Sequence, residues 1–145
     1  MSRGFAEMVD RVRKAIPEGE VRGALVCRQA DPGIEVIVGA LKDPIFGPAI
    51  MFGLGGIFTE VLKDVSFRII PIERIDAEEM IREIKGYPIL TGLRGQKPRD
   101  LEALADLLLA VSRLVSERPD IEELDLNPVR LYEQGLLVLD ARIMV

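Results

Sequence analysis

Three side chains with hard oxygen donors stand inside two strongly apolar segments near the end of the chain. Asp125 and Asn127 lie in Glu122-Glu123-Leu124-Asp125-Leu126-Asn127-Pro128-Val129, and Asp140 lies in Leu139-Asp140-Ala141-Arg142. Asp and Asn are poor strand formers, and burying them is costly unless they are paired or bound. Asp125 and Asn127 are two apart, so on a strand they share a face. Glu133-Gln134-Gly135 supplies a turn, and a four-residue loop puts Asn127 opposite Asp140. Directly opposed strand residues lie about 4.5–5.5 Å apart at Cα. At that spacing an amide oxygen and one or two carboxylates can converge on a magnesium ion, which keeps waters and substrate phosphates as its other ligands. The same residues also read as a charged edge hairpin with a turn-facing Asn-Pro, and spacing alone leaves both readings open.

Composition narrows the chemistry. The 145 residues suffice for one domain with a real core, and the sequence is read as a single domain over residues 1–145. With 48% hydrophobic and 30% charged residues the chain is globular rather than disordered. Twenty-four acidic against 19 basic residues, net −5, provide no basic field for duplex nucleic acid. No apolar run reaches membrane-spanning length. The N-terminus shows no signal peptide, and the single Cys27 fits a reducing, cytoplasmic setting. Its flanks, Leu25 and Val26, suggest a buried strand position. There is no histidine, which removes His-based acid–base catalysis, a His metal site and a phosphohistidine carried by these residues.

The elements that must position the oxygen donors follow from periodicity. Phe5, Met8, Val9, Val12 and Ile16 have helical spacing, ended by Pro17. Val21 to Cys27 reads as a strand, joined through the turn Asp31-Pro32-Gly33 to a second strand, Ile34 to Leu41. Ala49 to Phe52, Phe58 to Leu62 and Val65 to Ile70 read as further strands. Asp76-Ala77-Glu78-Glu79 has a capping-box pattern and opens a helix with Met80, Ile81 and Ile84 inward, stopping at Gly86 and Pro88. Asp100 caps a long helix to about Ser116, with Leu101, Leu104, Leu108, Val111 and Val115 as its core stripe. Strands mostly in hairpins with helices between them predict an α+β fold with a mixed, mostly antiparallel sheet.

Gly53-Leu54-Gly55-Gly56 follows a strand, as a phosphate-cradling loop would, but lacks the Lys-Ser/Thr of a P-loop and the third glycine of a dinucleotide fingerprint. A tight turn or bulge explains it equally well. Glu35 interrupts an apolar strand. Arg68, on another, can fork onto a phosphate or pair with Glu60 across its hairpin.

Read in order, Gly33-Ile34-Glu35-Val36-Ile37-Val38-Gly39, Lys42-Asp43-Pro44-Ile45-Phe46-Gly47-Pro48, Phe52-Gly53-Leu54-Gly55-Gly56, Glu60-Val61-Leu62-Lys63-Asp64-Val65-Ser66-Phe67-Arg68, Ile84-Lys85-Gly86-Tyr87-Pro88 and Glu123-Leu124-Asp125-Leu126-Asn127-Pro128-Val129 closely resemble the C-terminal part of the ATP-grasp domain of ADP-forming acyl-CoA synthetases of the acetate–CoA ligase type. The succinyl-CoA synthetase β subunit is more distantly similar. The resemblance runs from about Val21 to Ile143. It implies the C-terminal lobe of an ATP-grasp fold, with ATP or ADP and Mg2+ as cofactors. It also implies phosphoryl transfer through a histidine and an acyl phosphate to acyl-CoA. On it, Asp125, Asn127 and Asp140 look like the magnesium side, and Arg68 resembles a catalytic cation near the phosphates. Glu35 sits where a carboxylate often approaches the ribose, and Gly53, Gly55 and Gly56 look structural or near the phosphates.

The resemblance implies a protein partner supplying the N-terminal lobe, the phosphohistidine segment and the CoA-binding domains, with homo-oligomers also possible. Phe46, Phe52, Leu54 and Phe58 are expected to form apolar partner surface. One departure stands out. In Val26-Cys27-Arg28-Gln29, Arg28 takes the place of a glutamate beside the adenine, and a guanidinium cannot accept the adenine amino hydrogen bond. Two functions are therefore carried forward: a nucleotide- and magnesium-binding lobe of a ligase, and a non-catalytic ATP-grasp module for protein interaction or nucleotide sensing.

Overall fold

The computed structural model describes residues 2–56 and 63–145. Where the sequence suggests one domain, the chain divides into two compact units, Met1–Asp31 and Pro32–Val145.

In the first unit, helix α1 (Ser2–Ala15) follows the expected apolar spacing and carries Arg13 and Lys14 in its last turn, where cations suit the negative end of the helix dipole. The strand expected over Val21 to Cys27 does not form, so the hairpin with Ile34 to Leu41 does not form either. A strand must hand its N–H and C=O rows to a neighbour, and the described residues of this unit contain no second strand. Cys27, expected to be buried, is exposed.

The second unit is a six-stranded sheet with helices on one face. Its strands are β1 (Ile34–Asp43), β2 (Gly47–Leu54), β3 (Val65–Ile69), β4 (Glu123–Leu131), β5 (Leu136–Val138) and β6 (Ala141–Met144). The order is β3-β2-β1-β4-β5, with β6 also on β4, and every pairing is antiparallel. The expected strand over Phe58 to Leu62 lies outside the described residues.

Helices α2 (Arg74–Glu83), α3 (Tyr87–Leu90) and α4 (Leu101–Glu117), with a 3-10 turn at Leu93–Gly95, complete the fold. The capping box of α2 sits one turn earlier than its sequence suggests: the Glu73 N–H donates to Asp76 Oδ2 at 2.7 Å, so Asp76 closes the box rather than opening it. Pro88 does not merely follow a stop; it lies in the first turn of α3, where a missing N–H costs nothing. Asp100 caps α4 as expected, accepting from Ala103 N–H at 3.0 Å.

Alternation sorts the sheet into two faces. Val36, Val38, Ala40, Ile50, Phe52, Leu54, Leu124, Leu126, Val129 and Leu131 point to the helices. There they meet Ala77, Met80 and Ile81 of α2 and Leu104, Leu108, Val111 and Val115 of α4 in one core. Two buried serines tie the layers: Ser66 donates to Met80 O at 2.9 Å, and the Ile72 N–H donates to Ser112 Oγ at 3.1 Å. Within this unit the described helices pack on the core face alone.

Candidate functional site

The oxygen donors of β4 lie on the sheet face turned away from the core. On β4, Leu124 and Leu126 face the core, so Glu123, Asp125 and Asn127 face away from it. The β4–β5 and β4–β6 ladders keep one register, Leu131↔Leu136 through Glu123↔Met144. That register passes through Asn127 opposite Asp140, where the Asn127 N–H donates to the Asp140 carbonyl at 3.2 Å. The expected pairing is therefore met. Its turn is pinned from outside: Asp100 Oδ2 accepts from the Gly135 N–H at 2.7 Å, and the Asp100 N–H donates to Tyr132 O at 2.9 Å.

On its other side β4 bulges. Val36 pairs with Val129 and Val38 with Leu126, leaving Asn127 and Pro128 opposite Ile37 alone; the Asn127–Pro128 peptide is cis. The extra residue lets Leu126 and Val129 both face the core while Asn127 stays on the face of Asp125. Bulges re-aim side chains in this way beside functional sites.

A groove of about 460 Å³ lies over this face, lined by Ile37, Gly39, Leu41, Met51, Gly56, Glu123, Asp125 and Asn127 among others. Gly39 sits between Met51 and Asp125 in the ladder, so the floor beside Asp125 has no side chain. Among the described residues no three His, Cys, Asp or Glu side chains form a metal cage by themselves. The donors present suit a hard cation held on one side only: the Asp125 and Asp140 carboxylates and the Asn127 amide, with a ligand's oxygens completing the shell. That is how magnesium is held beside phosphates, so the residues fit the ion.

The remaining sequence candidates divide. Gly56, in the left-handed region at φ +64°, reaches the groove. Gly53 and Gly55 lie tight against neighbouring chain. A Cβ on Gly53 would lie 2.9 Å from Val65 Cγ1, and one on Gly55, whose N–H donates to Glu35 O at 2.8 Å, would lie 3.0 Å from Glu35 Cβ. Glu35 pairs across the ladder with Arg130, so its carboxylate is already engaged.

Arg68 is not part of this constellation. It pairs with Ile50 in the β2–β3 ladder, and Ile50 is a fully buried core residue, so Arg68 projects on the helical face. There it donates to Glu83 Oε2 at 2.8 Å and lies 3.6 Å from Glu79 Oε2, both on α2. The Glu83 hydrogen bond, chiefly, raises the guanidinium pKa further above its ordinary value. Its described partners are thus carboxylates of α2 on the core side of the sheet; the alternative partner Glu60 lies outside the described residues. The expected apolar surface is also revised. Phe52 and Leu54 are buried core, Phe46 is exposed, and Phe58 lies outside the described residues. Sequence reading passed over Glu123 and Arg142, which share the open face; their signal was the two-residue offset from Asp125 and Asp140.

Known proteins share this fold. The chain is 53% identical over its full length to the β subunit of acetate–CoA ligase (ADP-forming) II from Pyrococcus furiosus, covering 63% of that subunit. It is 51% identical over its full length to acetate–CoA ligase (ADP-forming) I from Archaeoglobus fulgidus, covering 21% of it. A solved structure of Ca. Korarchaeum cryptofilum dinucleotide-forming acetyl-coenzyme A synthetase 1 is similar at a TM-score of 0.87 and 48% identity, covering 99% of this chain and 64% of that one. That structure holds coenzyme A, acetyl-coenzyme A and a phosphorylated phosphohistidine segment, and another of the same enzyme holds coenzyme A and Mg-AMPPCP. The chain thus spans under two thirds of these relatives. All of it, residues 1–145, matches the ATP-grasp domain family, and the chain belongs to that family.

Proposed function

We propose that these residues form the magnesium–nucleotide side of an ADP-forming acid–CoA ligase. The observation that carries this reading is the ladder that sets Asn127, two residues from Asp125, opposite Asp140, with Asp125 and Asn127 lining a groove floored by Gly39 and Gly56. Asp125, Asn127 and Asp140 would hold a magnesium ion, which when bound neutralises phosphate charge. Gly39 and Gly56 leave room for the phosphates. The ladder and the Asp100 clamp hold the donors in place without ligand, the preorganisation that electrostatic catalysis of phosphoryl transfer requires. The acceptor is not among these residues, since the sequence has no histidine. A phosphohistidine relay would draw its histidine from outside these residues, as it would the CoA site and the opposite wall of the nucleotide cleft. The module reading with no catalytic role has no structural observation in its favour, and the similarity to ADP-forming acetate–CoA ligases argues against it.

Calorimetric titration of the chain with Mg-ADP tests this. Binding that disappears in Asp125→Ala and weakens in Asp140→Asn, with melting temperatures unchanged in the absence of ligand, is the expected result. Steady ADP formation from ATP by the chain alone would contradict the assignment of the acceptor and second wall elsewhere, and equal affinity in all three proteins would end the reading.

A further inference from the structure

The strands carry four basic residues whose neighbours are defined. Lys42 donates to Glu122 at 3.0 Å, Arg68 to Glu83 at 2.8 Å, and Arg130 pairs with Glu35. Arg142 differs. It pairs with Asp125 in the β4–β6 ladder, and Asp140, two residues before it, pairs with Asn127. Asp125 and Asn127 on β4, Arg142 on β6 and Asp140 just before it therefore occupy four adjacent positions on one face: three oxygen donors and one guanidinium.

Arg142 is exposed, and among the described residues it has no ion pair with a carboxylate. Its guanidinium rests on Met144 Sδ at 3.0 Å, a weak acceptor that is readily given up. The rest of the face is acidic: Glu123, Asp125 and Asp140 are not balanced by any other strand cation, because Arg130 is taken by Glu35. A polyphosphate approaching such a face meets like charge. A bound cation offsets part of it, and a guanidinium beside the cation's ligands can donate two hydrogen bonds to one phosphate group.

We infer that Arg142 is the cationic contact this chain makes with the phosphates of its nucleotide, the role that sequence reasoning gave to Arg68. This rests on the magnesium–nucleotide reading above.

The test compares the full chain with its Arg142→Ala, Arg142→Lys, Arg68→Ala and Asp125→Ala variants, measuring Mg-ADP affinity and unliganded melting temperature. Loss of a charged hydrogen-bonding group corresponds to about 10- to 100-fold in affinity. Arg142→Ala should lose that much with an unchanged melting temperature, and Arg142→Lys should recover only part, because an ammonium cannot fork. The affinity of Arg142→Ala should also fall less steeply with salt than that of the wild type, since one phosphate contact is gone. Arg68→Ala should lower the melting temperature and leave the affinity alone. Wild-type affinity in Arg142→Ala, while Asp125→Ala has lost binding, would overturn the inference and leave the nucleotide reading standing. A drop in melting temperature matching the loss of affinity would also overturn it, making Arg142 a residue of the fold. If the wild type itself does not bind Mg-ADP, the reading fails and the inference with it.

Discussion

Asp64 is one of three polar or charged residues buried in the described fold, and its removal should be the most damaging single truncation outside the apolar core. Only 6% of it is exposed. Its Oδ1 accepts the Lys85 N–H at 2.8 Å and its Oδ2 the Gly86 N–H at 2.7 Å, so one carboxylate fastens the start of β3 to the junction of α2 and α3. Hydrogen bonds to a charged group are worth about 1.5–3 kcal/mol each, and an orphaned buried donor costs about 1–3 kcal/mol. Lys85 N–H is only partly buried and can recruit water, whereas Gly86 N–H is buried and cannot. The Gly86 end should therefore dominate, and Asp64→Ala should cost about 3–4 kcal/mol. For a domain of this size that is a fall of about 10 °C in melting temperature. Asp64→Asn keeps one acceptor but turns an NH2 toward the second donor, and should recover no more than half. Urea and thermal unfolding of the three proteins measure this. An Asp64→Ala stability within about 0.5 kcal/mol of wild type, the range of an ordinary surface change, would refute the account of Asp64 as an anchor.

Other outcomes follow from the same structure. Gly86→Ala would place a Cβ 2.1 Å from Leu54 Cδ1, and overpacking of that kind costs about 1–3 kcal/mol; pairing it with Leu54→Ala should give a combined loss smaller than the sum, read by a double-mutant unfolding cycle. Gly39→Ala meets only ordinary contacts, Met51 Cε at 3.4 Å and Leu124 O at 3.5 Å, and should fold and bind Mg-ADP; Gly39→Leu should still fold but fill the groove floor, abolishing the ligand-dependent rise in melting temperature. Asp100 is held below the usual carboxylate range first by the Ala103 N–H and then by the Gly135 N–H. A depressed folded pKa means its stabilisation is full above the unfolded value of about 3.9 and is lost as pH falls through the lower folded value. Asp100→Ala should cost about 1–2 kcal/mol at neutral pH, and the difference from wild type should shrink below about pH 4.

The oxygen donors were legible in the sequence because their evidence was local. A turn of fixed length fixes a hairpin register, and one register placed Asn127 opposite Asp140 without any long-range information. The helices were legible for the same reason: Asp100 and the Leu104–Leu108–Val111–Val115 stripe lie within one element. Val21 to Cys27 misled because its strand propensity is real but a ladder needs a partner, and propensity does not report one. Arg68 shows the deeper difficulty. Being on a strand near a glycine loop says nothing about which face a residue takes. The face follows from counting by twos from a residue known to be buried, and that residue, Ile50, lies on the neighbouring strand and is paired through a register that only the fold reveals. The same count, started from Leu124 and carried across the terminal hairpin, brings Arg142 to Asp125. Charge type could be read from the sequence for both arginines. Only the parity of the ladders separates the one that braces α2 from the one that lies beside Asp125.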